Sequence, residues 1–195
     1  MGLHVVLRRP ERMKIAPRNF PQQERPKSMR TNIYWLDDSQ SGRIGIMPRP
    51  RGGDWLEDEI RALRDAGVDV IVSLLEKHEI EELDLQHEPA YCNANDILYL
   101  SLPIVDRGVP TSGREMLDFA RRLKGFIEEG KNLVIHCRQG IGRSTIMAVT
   151  VLALRGMPAE TAFEVIARAR GCSVPDTDQQ RDWVINLVKN ISEPL

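Results

Sequence analysis

The chain has few cysteines and no paired ones. Cys92, Cys137 and Cys172 are scattered through 195 residues. An odd count without short spacings excludes a disulfide framework and a C-x-x-C zinc site. Long apolar runs are also missing: the longest, Ile146 to Leu154, is too short to cross a bilayer. No apolar segment opens the chain, so no signal peptide is expected. His78 and His87 sit among acids without a cysteine or histidine at metal-ligand spacing, so no metal site is expected. No internal repeat is visible. With reduced thiols the expected compartment is the cytoplasm.

Neither sign of charge dominates, since the net charge is −1. That balance is uneven. Residues 1–30 carry eight Lys/Arg against two Glu, about +6, which leaves about −7 for the remainder. An acidic remainder gives no sign of a nucleic-acid surface. Residues 1–30 are rich in Arg, Pro and Gln and read as a basic disordered tail. Either the tail has no role or it binds anions or a partner, and Met29 is a second candidate start. The length suits one domain over residues 31–195, and 42% hydrophobic residues suffice for a core.

What is present alternates between strand and helix patterns. Short strands are predicted at 33–36 and 43–47. Asp54, with Glu57 three residues on, predicts a capped helix with Ile60 and Leu63 inward, ended by Gly67. Residues 68–75 read as a buried strand rich in β-branched residues. An acidic segment at 76–88 holds a short helix at most, and 97–102 reads as another strand. Ser112 and Glu115 open a helix with Leu117, Ala120, Leu123 and Ile127 on one face. A strand at 133–136 leads into an apolar helix at 143–154. Two further helices follow, one from Pro158 to about Arg170 and one from Thr177 to Lys189. In the last, Trp183, Val184, Leu187 and Val188 are expected inward. The alternation predicts an α/β sandwich, a mostly parallel sheet flanked by helices.

One segment carries chemistry: Val134-Ile135-His136-Cys137-Arg138-Gln139-Gly140-Ile141-Gly142-Arg143-Ser144. A thiol stands at the end of an apolar strand, followed by a glycine-containing loop, an arginine and a helix start. Gly140 and Gly142 permit a backbone whose N–H groups turn inward as an anion nest. The helix N-terminus adds positive potential. Arg143 can present its planar fork to two phosphate oxygens. Ser144 is placed to hydrogen-bond the sulfur. His136 points to the opposite face of the strand from Cys137 and suits orienting the loop better than acting as a base.

His136-Cys137-x5-Arg143-Ser144 resembles the signature of the cysteine-dependent protein tyrosine phosphatases. Leu102-Pro103-Ile104-Val105-Asp106-Arg107-Gly108-Val109-Pro110 resembles the general-acid loop of that superfamily, 31 residues before the cysteine. Val105 stands near the place of that loop's usual tryptophan, as in dual-specificity-type members. The likeness covers about residues 31–190 and is greatest to the dual-specificity group, with kinase-associated-phosphatase-like and small microbial forms. No match to the phosphotyrosine-recognition loop of the larger enzymes is found. Pro175-Asp176-Thr177-Asp178-Gln179-Gln180 resembles the Q-T-x-x-Q segment, with Asp176 where the first glutamine would be. Either this departure leaves the water-positioning role open, or the segment simply caps the last helix.

The resemblance implies a single-domain tyrosine-phosphatase-like fold and no cofactor. It implies Cys137 as nucleophile, Asp106 as general acid and base, and Ser144 assisting the departing sulfur. The phosphate would be held by Arg138, Gln139, Gly140, Ile141, Gly142 and Arg143, and His136 would orient the loop. The expected partner is a phosphorylated protein and the expected state a monomer. Phosphotyrosine is the expected substrate, with phosphoserine and phosphothreonine open to a shallow cleft. A phosphoinositide or an RNA 5′-phosphate, a non-catalytic phosphate-binding role, and sulfur transfer or arsenate reduction are the alternatives. Cys92 and Cys172 read either as inert or as disulfide partners that shield Cys137 on oxidation. Glu76, Glu79, Glu81 and Glu82 read as a solvated face, or one of them as part of the site rim. Arg138 either adds positive potential or is solvated.

Overall fold

The computed structural model describes residues 32–36 and 42–192; the basic tail therefore lies outside the described residues. Five strands form one sheet: β1 (Tyr34–Trp35), β2 (Ile44–Pro48), β3 (Val70–Ser73), β4 (Leu98–Ser101) and β5 (Leu133–Cys137). Their order is β1-β2-β5-β3-β4. β1 pairs antiparallel to β2, and all other pairings are parallel. β5 lies at the centre, flanked by β2 and β3. The end of this strand is therefore enclosed by loops from both neighbours, where α/β sheets place their sites.

Helices cover both faces. On one side lie α1 (Leu56–Asp65), α2 (Lys77–Glu82) and α3 (Glu88–Ala94). On the other lie α4 (Gly113–Glu128), α5 (Gly142–Leu154), α6 (Ala159–Arg170) and α7 (Asp178–Ser192). Side chains alternate along β5: Leu133, Ile135 and Cys137 enter the core shared with α4 to α7, while Val134 enters the core under α1 and α3. Every residue of α5 from Gly142 to Leu152 is buried, as an apolar helix without a polar face requires.

Local signals are realised in part. The Ser112 hydroxyl caps α4 by accepting from Glu115 N–H at 3.2 Å. Gly171 ends α6 in the left-handed conformation, φ 69°. Asp54 caps nothing: it sits in a 3-10 turn, Gly53–Trp55, that feeds α1 at Leu56. The buried face of α4 begins at Met116, four residues before Ala120, and Leu117 is only half-buried. In α7, Val184 and Val188 are buried, whereas Trp183 and Leu187 pack at the edge of the core. The acidic stretch holds α2, and a second short helix, α3, follows it with a proline in its first turn.

Candidate active site

Cys137 is the last residue of β5 and is 3% exposed. Its sulfur accepts the Gly140 N–H at 3.3 Å. The loop turns there because Gly140 adopts φ 67°. A Cβ at that position would run into the Met47 carbonyl, so the residue must be glycine on both counts. The neighbouring strand supports the loop, with Arg49 N–H reaching the Arg138 carbonyl at 3.4 Å. On the other side the Arg170 guanidinium donates to the carbonyls of Gly140 and Gln139, at 3.0 and 3.1 Å. Those carbonyls are bound by α6.

Arg143, in the first turn of α5, is 1% exposed. It is held in a dense set of bonds. Nη1 donates to Glu79 Oε2 at 2.5 Å, and Nη2 to Glu79 Oε1 at 2.9 Å. Nη1 also reaches the carbonyl oxygens of Ile104 and Leu74, at 3.0 and 3.4 Å. Asp106 Oδ1 lies 2.8 Å from Nη2. The candidate acid and the candidate phosphate-binding arginine are thus joined directly. Asp106 stands on a turn closed by Gly108 N–H to Val105 O at 2.9 Å, with Arg107 at φ 56°.

Glu79 is the residue whose part sequence reasoning left unresolved. It does not belong to a solvated face: it is 1% exposed and grips Arg143 fork to fork. It also accepts the Glu76 N–H at 3.0 Å, which pins the start of α2. Burial alone pushes its carboxyl up. The Arg143 hydrogen bond, the Glu76 N–H, the Arg143 charge and the bond from Arg138 outweigh that and hold it near a pKa of about 2. For Arg143, burial acts to lower the pKa, but the Glu79 bond and the Cys137, Glu79 and Asp106 charges raise it overall. Only one signal could have singled out Glu79: of the four acids, it is the one three residues after the cap position of a short helix.

The Arg138 guanidinium is engaged by two carboxylates. Its Nε reaches Glu79 at 3.3 Å, and its Nη2 meets Glu82 at 2.7 Å. Bonds from Glu82 and Glu79 raise its pKa. The Ser144 hydroxyl is buried and finds no hydrogen-bond partner among the described residues. His136 lies behind the strand, fully buried, with Nε2 3.1 Å from Glu88 Oε1. Cys92 belongs to the core on the opposite face from Cys137, so the sheet separates them and no disulfide can join them. Burial and then the Glu88 charge push its thiol up. Cys172 is exposed just past α6.

The segment near Asp176 packs against the start of α5. A side chain at Gly142 would collide with the Asp176 carboxylate and the Gln180 amide. Gln180 is fully buried. It accepts Asp176 N–H at 3.2 Å and donates to Gly108 O at 3.0 Å, tying the Asp106 turn to α7. Thr177 caps α7, its hydroxyl accepting Gln180 N–H at 3.2 Å. The expected capping of the last helix is realised here through Thr177. Among the described residues no group of three or more His, Cys, Asp or Glu is arranged to hold a metal ion, and no helix is long and apolar enough to cross a membrane.

Residues 45–157, which hold the parallel part of the sheet from Gly45 onward and the whole cysteine loop, match the family model Tc-R-P, described as "Polymorphic toxin system, DSP-PTPase phosphatase". The chain belongs to this DSP-PTPase phosphatase family. It is similar to protein 197R of Invertebrate iridescent virus 6, whose name marks it as a candidate tyrosine phosphatase: 29% identity over 80% of this chain and 56% of that one. A second relative, 067L of Invertebrate iridescent virus 3, is 25% identical over 66% of this chain and 53% of its own length. The chain thus spans about half the length of these curated relatives. Among solved structures it resembles kinase associated phosphatase with its catalytic cysteine changed to serine, at TM-score 0.72, 18% identity, and 85% and 98% coverage of the two chains. It also resembles Tk-PTP in its active form, at TM-score 0.64, 25% identity, and 80% and 96% coverage. The structure of PTPMT1 in complex with PI(5)P follows at TM-score 0.64, 21% identity, and 80% and 94% coverage. The DSP-PTPase fold expected from the sequence is the fold observed.

Proposed function

We propose that this chain is a dual-specificity-type protein-tyrosine phosphatase that acts in the cytoplasm as a monomer. Its substrates are phosphotyrosine proteins, with phosphoserine and phosphothreonine admitted where the cleft is shallow. One observation carries the reading: Arg143, at the end of the loop that Cys137 opens, is fixed by Glu79 and paired with the Asp106 carboxylate from the turn after β4. A phosphomonoester dianion seats on the amides of residues 138–143 and on Arg143, taking over the Nη2 donor that Asp106 now uses. The Cys137 thiolate attacks phosphorus in line. Asp106, released from Arg143, takes up a proton from water; the P–O bond to the leaving group breaks as it hands that proton to the departing oxygen, and a cysteinyl-phosphate forms. Asp106, then a carboxylate, takes a proton from the water that attacks phosphorus. The P–S bond breaks, inorganic phosphate leaves, and the Ser144 hydroxyl, uncommitted in the resting site, donates to the departing sulfur. The fixed N–H groups and Arg143 stabilise the equatorial oxygens in both steps.

The test is phosphate release from an aryl phosphate by the wild type, Cys137→Ser and Asp106→Asn. Cys137→Ser is expected to be inactive, and Asp106→Asn to lose most with poor leaving groups. A serine variant as active as the wild type overturns the reading. A panel of phosphopeptides and phosphoinositides then fixes the substrate: preference for the inositides would reject the protein-phosphatase assignment while keeping the chemistry.

A further inference from the structure

Behind the nucleophile's strand lies a buried carboxylate that the mechanism above does not use. Glu88, at the start of α3, is fully buried. Neither of its oxygens makes a hydrogen bond to any described group. His136 is fully buried too, and both its ring nitrogens are likewise unbonded. The two groups lie 3.1 Å apart, Nε2 to Oε1, without the alignment a hydrogen bond needs. Buried side chains of the core on that face include Leu85, Cys92, Ile97 and Val134.

A carboxylate in such a place costs far more than a hydrogen bond returns unless something offsets its charge or fixes its proton. Among the described residues, Cys92, Tyr99 and His136 interact with it. The Cys92 thiol is pushed up by burial and by Glu88 itself, so it stays neutral. The Tyr99 phenol is pushed up to about 12 by burial and the Glu88 charge, and its hydroxyl is engaged by Ser73 and Ser101. That leaves His136, one peptide bond from Cys137. A purely structural contact would be replaced by packed apolar side chains at little cost.

On the phosphatase reading, we propose that Glu88 is a positioning residue for Cys137, acting through His136: the carboxylate anchors the imidazole and with it the peptide that sets the sulfur in the loop. The partnership resembles that of metal-bound histidines, whose far nitrogen is oriented by a carboxylate.

The test uses the full chain and its own cysteines. Iodoacetamide labelling at Cys137 is followed by peptide mapping at pH 6.5, with exposed Cys172 as internal control, beside kcat and KM for p-nitrophenyl phosphate. Glu88→Gln keeps shape and an acceptor oxygen but removes the charge. Its labelling at Cys137 and its kcat are expected to fall by about tenfold, the usual loss when the carboxylate that orients a working imidazole is removed. KM and Cys172 labelling stay as they were. His136→Asn should do the same, and the double variant should be no worse than either single one, as for residues that act as a unit. Wild-type labelling in Glu88→Gln, or losses that multiply in the double variant, would overturn the proposal. If Glu88→Gln fails to fold, Glu88→Asp decides: the shortened carboxylate no longer reaches the ring and should slow labelling, and wild-type labelling would refute the role. Labelling needs no turnover. Variants that label as expected in a chain releasing no phosphate therefore count against the phosphatase reading alone.

Discussion

Two carboxylates from separate segments reach the same guanidinium. Glu79 comes from α2 and is 1% exposed, whereas Asp106 comes from the turn after β4 and is 49% exposed. Glu79 binds Arg143 with both oxygens, Asp106 with one. The difference assigns them different work. A buried, bidentate partner has nowhere else to go and fixes the arginine's direction. A half-exposed, monodentate partner can let go, and water stands ready to receive it. On the proposed mechanism the site has a fixed wall and an exchangeable one, and substrate phosphate competes only with the second.

The largest expected effect breaks the fixed wall. Glu79→Ala leaves Arg143 buried without its counter-charge, which typically costs about 3–5 kcal/mol. Chemical denaturation should show the loss, and activity should fall with it. Loss of under about 1 kcal/mol would mean that Arg143 finds another partner and that Glu79 is not the fixed wall.

Asp106→Asn tests the exchangeable wall. Here the rate should fall about 10²–10⁴-fold, while stability changes by under about 1 kcal/mol, as for exposed ion pairs. Product burst and steady-state kinetics with several aryl phosphates would read the rate, and a thermal melt the stability. A large loss of stability would erase the distinction between the walls.

Acid sharpens the comparison. The Glu79 pKa is lowered from 4.5 to about 2 in the folded protein. A depressed carboxyl stabilises the fold above its unfolded pKa and loses that contribution as pH falls through its folded one. The stability gap between wild type and Glu79→Gln should therefore be constant above about pH 5 and shrink between there and about pH 2. A gap that closes already at pH 6 would contradict it. The smallest effect belongs to Arg138→Ala, which removes half-exposed bonds to Glu82 and Glu79. Denaturation should register about 0–1 kcal/mol.

The cysteine loop was legible because it is contiguous. Strand, thiol, glycines, arginine and helix start follow one another, so residues 133–154 announce both geometry and chemistry. The parallel sheet was legible for the same reason, through apolar runs spaced by helix patterns. The role of Glu79 was not. Four acids in a row look alike until the chain folds, and only one of them ends opposite Arg143. Helix α3 was missed because seven residues with a proline at the start carry too little periodicity. Asp54 misled because its capping pattern is satisfied instead by a 3-10 turn of backbone bonds. Asp176 drew two competing readings, and the fold realises the capping one, with Thr177 as the capping side chain.

By itself the sequence determined the elements, their alternation and the local chemistry of the Cys137 loop, since neighbours in the chain need no folding to be neighbours. Tertiary structure alone decided the pairings across distance. Arg143 and Glu79 are 64 positions apart, and His136 and Glu88 come from opposite layers of one core. Those contacts arise when packing forces charged groups out of water, and which carboxylate meets which cation is then set by the register of β5 against its neighbours.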